Sequence, residues 1–196
     1  MATSSDSVEL IDGEIVANIA RAALFAALIA GFSYVSFPNP LSPGIPVTLQ
    51  VIGVFLAGIM LGPVWGTGAL GLYLAAGAIG VPVFAGGSAG LGYLIGNPTF
   101  GYLWSYPVAA GVIGLIVHRG IELRDYNEVG VGQLVGAMVV GTLVIYAMGT
   151  AGFAAIQSIG LVESFMLSAV AFIPFEVVKI AAVVGILRSD AIAAAP

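Results

Sequence analysis

The chain has 196 residues, 60 % of them hydrophobic and 8 % charged, with a mean hydropathy of +1.11 and a net charge of −5. A water-soluble domain carries about 25 % charged residues, so this composition excludes one and indicates a polytopic α-helical membrane protein. The continuous apolar runs also exclude the alternating strands of a β-barrel. Without Cys there is no disulfide, thiolate metal site or catalytic thiol; the single histidine, His118, cannot build an imidazole metal site, and no basic stripe is present to bind nucleic acid.

Asp6, Glu9, Asp12 and Glu14 crowd residues 1–14 with no basic stretch ahead of an apolar core, so this segment reads as an acidic tail and not as a signal peptide. Residues 22–117 then contain no Asp, Glu, Lys, Arg or His, and Pro/Gly clusters divide them. The predicted spans are Ile15–Phe37, Val47–Leu61, Trp65–Ile79, Thr99–Val117, Val131–Ala155 and Ser164–Leu187. A rigid loop with prolines 38, 40, 43 and 46 follows the first span, and Gly62-Pro63 turns between the second and third. Six spans place both termini on one side. Arg21, Arg119, Arg124 and Arg188 fall on that same side, while the opposite loops 38–46, 80–98 and 156–163 hold no Lys or Arg. The positive-inside rule therefore makes both termini cytoplasmic in a multi-pass protein of the cell membrane. The expected organisation is one transmembrane domain, 15–188, with a short cytoplasmic tail, 189–196.

Small residues repeat every fourth position in the first span: Ala22, Ala26 and Ala30, and one position on Ala23, Ala27 and Gly31. Such stripes allow close helix approach where lipid removes the hydrophobic drive. They serve either packing within the bundle or docking of a partner helix. Gly58-xxx-Gly62 and Gly132-xxx-Gly136 read as internal packing.

The last apolar run carries the strongest signal. Glu176 and Lys179 lie inside it, and a lone charge at the centre of a spanning helix costs about 2.5–3.5 kcal/mol. At i and i+3 they share one helix face and can pair or converge on one ligand. Pro174, two residues before Glu176, is expected to free the carbonyl of Val170 and kink the helix. The other polar residues predicted near the outer face are Thr48, Gln50, Tyr73, Asn97, Thr99, Tyr102 and Tyr106. The connection from Gly80 to Pro98 is too apolar for a solvated linker and reads as a lid, with Phe84, Gly87, Ser88 and Tyr93 supplying its inner surface. Gly87, Gly90 and Gly92 do not make a phosphate loop, because no strand precedes them and no Lys-Ser/Thr follows. The chain has no nucleotide-binding domain and no nucleophile–base arrangement, so an enzyme is not expected, no cofactor is called for, and active transport would need a partner ATPase.

Four stretches carry a resemblance: Ile45-Pro-Val-Thr-Leu-Gln50, Gly77-Ala-Ile-Gly-Val-Pro-Val-Phe-Ala-Gly-Gly87, Asn97-Pro-Thr-Phe-Gly-Tyr102 and Pro174-Phe-Glu-Val-Val-Lys179. In this order and spacing the chain resembles the BioY family, the biotin-specific S components of energy-coupling-factor (ECF) vitamin transporters. The resemblance implies an all-α bundle of six transmembrane helices and a biotin pocket near the outer face. Glu176, Lys179, Gln50, Thr48, Asn97, Phe84, Gly87, Ser88, Tyr93, Tyr73 and Tyr102 are its candidate residues. It also implies docking of the first span, through Ala22, Ala23, Ala26, Ala27 and Ala30, on a transmembrane coupling subunit driven by two ATPase subunits. Three positions depart from the family pattern: Glu176 replaces the usual Asp, and Asn97-Pro-Thr-Phe-Gly101 stands where the family shows Gly-Pro-Thr-Gly-Gly, with Phe100 adding bulk at the pocket rim. The competing reading is a stand-alone carrier of another small solute that uses Glu176 and Lys179 as an ion relay; a structural subunit locked by the same ion pair is the third.

Overall fold

The structure is a computed structural model that describes residues 13–40, 42 and 45–189. Residues 1–12 and 190–196, most of the two predicted tails, lie outside the described residues, as do Leu41, Pro43 and Gly44 of the Pro-rich loop.

Five stretches are long and apolar enough to cross a bilayer: Gly13–Tyr34, Gln50–Ala78, Phe100–His118, Val131–Gln157 and Leu161–Leu187. The first is helix α1 (Gly13–Tyr34). Beyond it Ser36–Phe37 (β1) pairs antiparallel with Val47–Thr48 (β2), in the register Ser36↔Thr48 and Phe37↔Val47. The first span therefore stops short of Phe37, and the second begins at Gln50, because both ends of the Pro-rich loop are drawn into a two-residue ladder.

Helix α2 (Gln50–Ala78) is folded in two. Gly62 has φ 74° and ψ −175°, a conformation open to glycine alone, and Pro63 then presets the first turn of the returning half. Side chains report the reversal: the Gln50 amide donates to the Tyr73 hydroxyl at 2.5 Å, whereas a straight helix would hold these residues about 35 Å apart. A Cβ built on Gly66 would lie 2.8 Å from the Ala57 carbonyl oxygen, so the halves touch backbone to backbone. Both are short for a 30 Å hydrocarbon core; the first half is almost wholly buried, while the returning half keeps one buried and one exposed face.

A connection follows, with a 3₁₀ turn at Ala85–Gly87 and the short helix α3 (Leu91–Gly96). Helix α4 (Phe100–His118) packs on the α2 hairpin, and helix α5 (Val131–Gln157) packs on the other side of α4. Glycines set the spacing: a methyl on Gly58 would meet the Ala110 carbonyl at 2.6 Å, and one on Gly101 the Met148 carbonyl at 2.4 Å. Gly132 and Gly136 have nothing within 4 Å of a built Cβ, so the internal packing expected of that pair is absent.

The last stretch is not one kinked helix. Helix α6 (Leu161–Ser168) ends, a 3₁₀ turn covers Val170–Phe172, and helix α7 (Ile173–Leu187) restarts with Pro174 in its first turn. The expectation of a freed Val170 carbonyl is therefore corrected: that oxygen accepts the Ile173 N–H, and Pro174 opens a helix where its missing N–H has no partner to lose.

Arg119, Arg124 and Arg188 gather at one end. There His118 Nδ1 accepts the Arg124 N–H at 3.0 Å, which fixes the proton on Nε2, and Nε2 donates to the Ile59 carbonyl at 3.0 Å. Arg188 donates to the carbonyls of Asn127 (2.8 Å) and Val129. The turn between the halves of α2 and the segment joining α4 to α5 are thus tied down together. The opposite end carries the 35–49 and 79–99 connections.

On α1 the two small-residue stripes separate. Ala22 and Ala26 are buried with Asn18, Ile29 and Ser33, and Ala30 is half-buried, whereas Ala23, Ala27 and Gly31 are exposed. Overfilling a packed position costs about 1–3 kcal/mol, and an exposed one less than about 0.5 kcal/mol. Ala26→Leu is expected to show the larger loss and Ala27→Leu the smaller in denaturant unfolding of the micellar protein followed by helical circular dichroism.

Candidate functional site

A cavity of about 170 Å³ sits at the end of the bundle opposite the arginines. Ile45 and Pro46 from the Pro-rich loop, Gln50 and Val51 from α2, and Tyr102, Leu103 and Tyr106 from α4 line it. Ile145 and Tyr146 from α5, Ser168 and Phe172 from the α6–α7 break, and Glu176 and Lys179 from α7 close the ring. Ala85, Tyr93, Asn97, Pro98 and Thr99 roof it.

The charged pair comes from the first two turns of α7. Starting that helix at Pro174 puts Glu176 and Lys179 on its inward face, and Lys179 Nζ donates to Glu176 Oε1 at 2.7 Å. Both residues are buried, at 5 % and 6 % exposure. Pairing cancels the net charge and makes burial tolerable. It leaves Glu176 Oε2 buried without a hydrogen-bond partner. The hydroxyls of Tyr146, Thr150 and Ser168 are unpaired in the same way. All four orphans lie on α5, at the end of α6 or on α7; Tyr146, Ser168 and Glu176 line the cavity. Unsatisfied buried groups are rare in a finished fold, and a cluster of them around one void is the arrangement of a site that waits for a ligand's own donors and acceptors.

On the α2 side the polar groups satisfy one another. Thr48 Oγ1 donates to Gln50 Oε1 at 2.8 Å, Gln50 Nε2 donates to the Tyr73 hydroxyl, and that hydroxyl donates to the Val83 carbonyl at 3.1 Å. This chain links the start of α2, its returning half and the 79–90 connection. Thr48 and Gln50 line the cavity; Tyr73 stands behind them.

The roof is built by aromatic stacking. Phe84 is fully buried over Gly77, where an added methyl would lie 2.0 Å from its ring. It meets Tyr73 edge-on (5.6 Å, 81°) and Tyr93 face-on (5.5 Å, 14°), so Tyr93 is the ring presented to the cavity. Ser88 bridges back to Phe84, and Gly87 abuts Tyr34, whose hydroxyl donates to the Pro82 carbonyl. Asn97 Oδ1 accepts both the Thr99 N–H (2.9 Å) and the Thr99 hydroxyl (2.7 Å). A backbone N–H can only donate, so the amide orientation is fixed and Nδ2 is the group Asn97 has to offer. Trp104 Nε1 donates to the Leu94 carbonyl and pins α3 to α4, and Asn39 Nδ2 donates to the Ala171 carbonyl and ties the Pro-rich loop to the α6–α7 break.

Of the residues singled out from sequence, Thr48, Gln50, Tyr93, Asn97, Tyr102, Glu176 and Lys179 therefore meet around one cavity. Tyr73, Phe84, Gly87 and Ser88 form the layer behind it. Tyr102 directs its hydroxyl to the Ser168 carbonyl. Two polar lining residues were not singled out in the sequence, Tyr146 and Ser168. Tyr146 is the one tyrosine of α5, and a phenol in the middle of an apolar span has to find a partner, which was a usable signal. Ser168 became legible only once the helix was seen to break beside it. An apolar groove of about 800 Å³ between α5, α6 and α7 shares Tyr146 and Glu176 with the cavity, so these two side chains border both spaces.

The sequence matches the BioY family over residues 2–194. It is 39 % identical over 144 residues to a biotin transporter BioY of Rhodobacter capsulatus, covering 74 % of this chain and 73 % of that one. It is 34 % identical over 177 residues to a biotin transporter BioY of Rhizobium etli, covering 86 % and 90 %. The fold superposes with TM-score 0.78 and 26 % identity on the S-component for biotin from an ECF-type ABC transporter, over 91 % of this chain and 92 % of that chain. With the family match running almost end to end, the chain belongs to the BioY family.

Proposed function

We propose that this chain is the biotin-capturing S component of an ECF transporter, a membrane subunit and not an enzyme. Family membership supports the substrate, and one observation in the site carries the reading: a buried carboxylate with one oxygen on Lys179 and the other unpaired beside a cavity. An acceptor-only oxygen calls for an N–H or O–H. Biotin's ureido ring brings two N–H donors and a carbonyl acceptor. Glu176 takes an N–H, and Lys179, with two ammonium protons beyond the one on Glu176, reaches the carbonyl. Thr48 and Gln50 hold the floor, Tyr93, Tyr102 and Asn97 flank the rings and chain, and Tyr73, Phe84, Gly87 and Ser88 keep the roof in shape. No cofactor takes part.

Around this site we read a single domain, 15–188, of six helical segments, with the two halves of α2 as separate members and α6–α7 as the last. The 80–98 connection closes over the ligand as a lid together with the Pro-rich loop. Both termini are cytoplasmic, which puts the cavity at the outer face and the arginines inside. A transmembrane coupling subunit docks on α1, and two ATPase subunits supply the energy. Because Ala22, Ala26 and Ala30 turn toward the bundle and Ala23, Ala27 and Gly31 are exposed, the exposed stripe is the docking face, and the buried one holds α1 in place.

Titration calorimetry of ligand-free, detergent-solubilised protein tests the reading, with a short fatty acid as control. Biotin is expected to bind and the fatty acid to fail. Hydrogen bonds to charged groups contribute about 1.5–3 kcal/mol, or roughly 10- to 150-fold in affinity, so Glu176→Gln and Lys179→Met are each expected to weaken biotin by that factor. The double replacement Glu176→Leu with Lys179→Leu removes both buried charges together, so the protein keeps its stability while binding is lost. Full affinity in the double variant would leave the pair a structural lock and contradict the site. For docking, Ala27→Leu is expected to leave biotin affinity unchanged and to block copurification with the coupling subunit; undiminished assembly would remove α1's exposed stripe from the interface.

A further inference from the structure

The cavity has one cation, and it is already paired with a carboxylate. The chain has five basic residues, all of them described: Arg21, Arg119, Arg124, Lys179 and Arg188. Arg119 donates to Gln133, and Arg188 to the carbonyls of Asn127 and Val129, at the far end of the bundle; Arg21 lies on α1 and donates to Asn18. Only Lys179 lines the cavity, and it is bound to Glu176 at 2.7 Å. The rest of the lining is neutral by sequence, since residues 22–117, which supply the roof, the α2 wall and the α4 wall, contain no charged residue. A second carboxylate brought to Lys179 would share one ammonium with Glu176 in a low-dielectric setting, where like charges repel strongly. The paired end therefore accepts a neutral polar group and rejects an acid.

The acid end of the ligand is left with the other end of the cavity. Three amides around the start of α4 are already engaged: Thr99 N–H on Asn97 Oδ1, Phe100 N–H on the Asn97 carbonyl and Tyr102 N–H on the Thr99 carbonyl. The Thr99 hydroxyl is given to Asn97 and the Tyr102 hydroxyl to Ser168. The donors left among the lining residues, the Asn97 Nδ2 amide and the Tyr93, Tyr146 and Ser168 hydroxyls, are all neutral. A neutral donor of this kind serves a carboxamide oxygen as readily as a carboxylate.

Resting on the function proposed above, we infer that the site recognises its ligand by the neutral ring end and is indifferent to the charge of the acid end, so that biotin and neutral derivatives at its carboxyl group compete for the same cavity. Asn97, whose Oδ1 is held by Thr99 and whose Nδ2 amide is left to donate, is the residue assigned to meet that end.

The test is competition between biotin and its primary carboxamide for the purified, ligand-free chain. Affinities within ten-fold of each other are expected. A carboxamide weaker by more than ten-fold, with biotin binding intact, would overturn the inference and leave the proposed function standing; failure of biotin itself to bind would overturn both. An Asn97→Asp variant reads the location of the acid end. Asp keeps the acceptor for Thr99 and puts a negative charge where Nδ2 stood, so biotin is expected to lose at least ten-fold more affinity than the carboxamide does. Equal losses for the two ligands would place the carboxylate elsewhere and contradict the assignment of Asn97.

Discussion

A carboxylate and an ammonium held 2.7 Å apart inside an apolar bundle set the terms for the rest of this molecule. Neither charge is tolerable alone at this depth, and together they cancel while leaving Glu176 Oε2 without a donor. The chain could have satisfied that oxygen with any nearby hydroxyl. Tyr146 and Ser168 line the same cavity, and both keep their own hydroxyls unpaired. The site is thus stable enough to exist and incomplete enough to need a partner. That combination is the ground for proposing a binding pocket here and not a structural lock.

Holding such a site open requires stiffness around it, and the fold supplies it with backbone contacts more than with large side chains. Gly62 and Pro63 reverse α2 so that Gln50 and Tyr73 meet, and that contact reaches Val83 in the roof. Gly58 and Gly101 let α4 lie against α2 and α5 at backbone distance. Pro174 restarts the final helix at a position that turns Glu176 and Lys179 inward together. Tyr34 at the end of α1 hydrogen-bonds the Pro82 carbonyl, so the helix proposed to meet a coupling subunit is joined to the connection that lines the cavity.

Much of this was readable in the residues. An i, i+3 pair of opposite charges in an apolar run pointed to one helix face where the two could pair or converge on one ligand, and the uncharged stretch 22–117 with its Pro/Gly breaks marked off the helices. Glycines and aromatics in an apolar connection marked a packed roof. Other features were not local enough to read. The Val170 carbonyl was expected to be free because a proline was assumed to interrupt one long helix; the helix in fact breaks before Pro174, and a 3₁₀ turn takes up the oxygen. Ala22 and Ala23 look alike in sequence, and only the side of α1 that meets α2 tells the buried stripe from the exposed one. Phe84 looked like a pocket ring but inserts over Gly77, leaving Tyr93 to face the cavity, because a void beside a glycine is decided by the opposite helix.

The most direct measurement of the central claim, that Glu176 Oε2 waits for a ligand N–H, removes that N–H from the ligand and leaves the protein untouched. Biotin and its two mono-N-methylated ureido derivatives would be titrated into the same ligand-free preparation. The account predicts that methylation of one nitrogen costs at least ten-fold more affinity than methylation of the other, and that this asymmetry disappears in Glu176→Gln. Equal affinity for all three ligands, or an asymmetry that persists unchanged in Glu176→Gln, would contradict it.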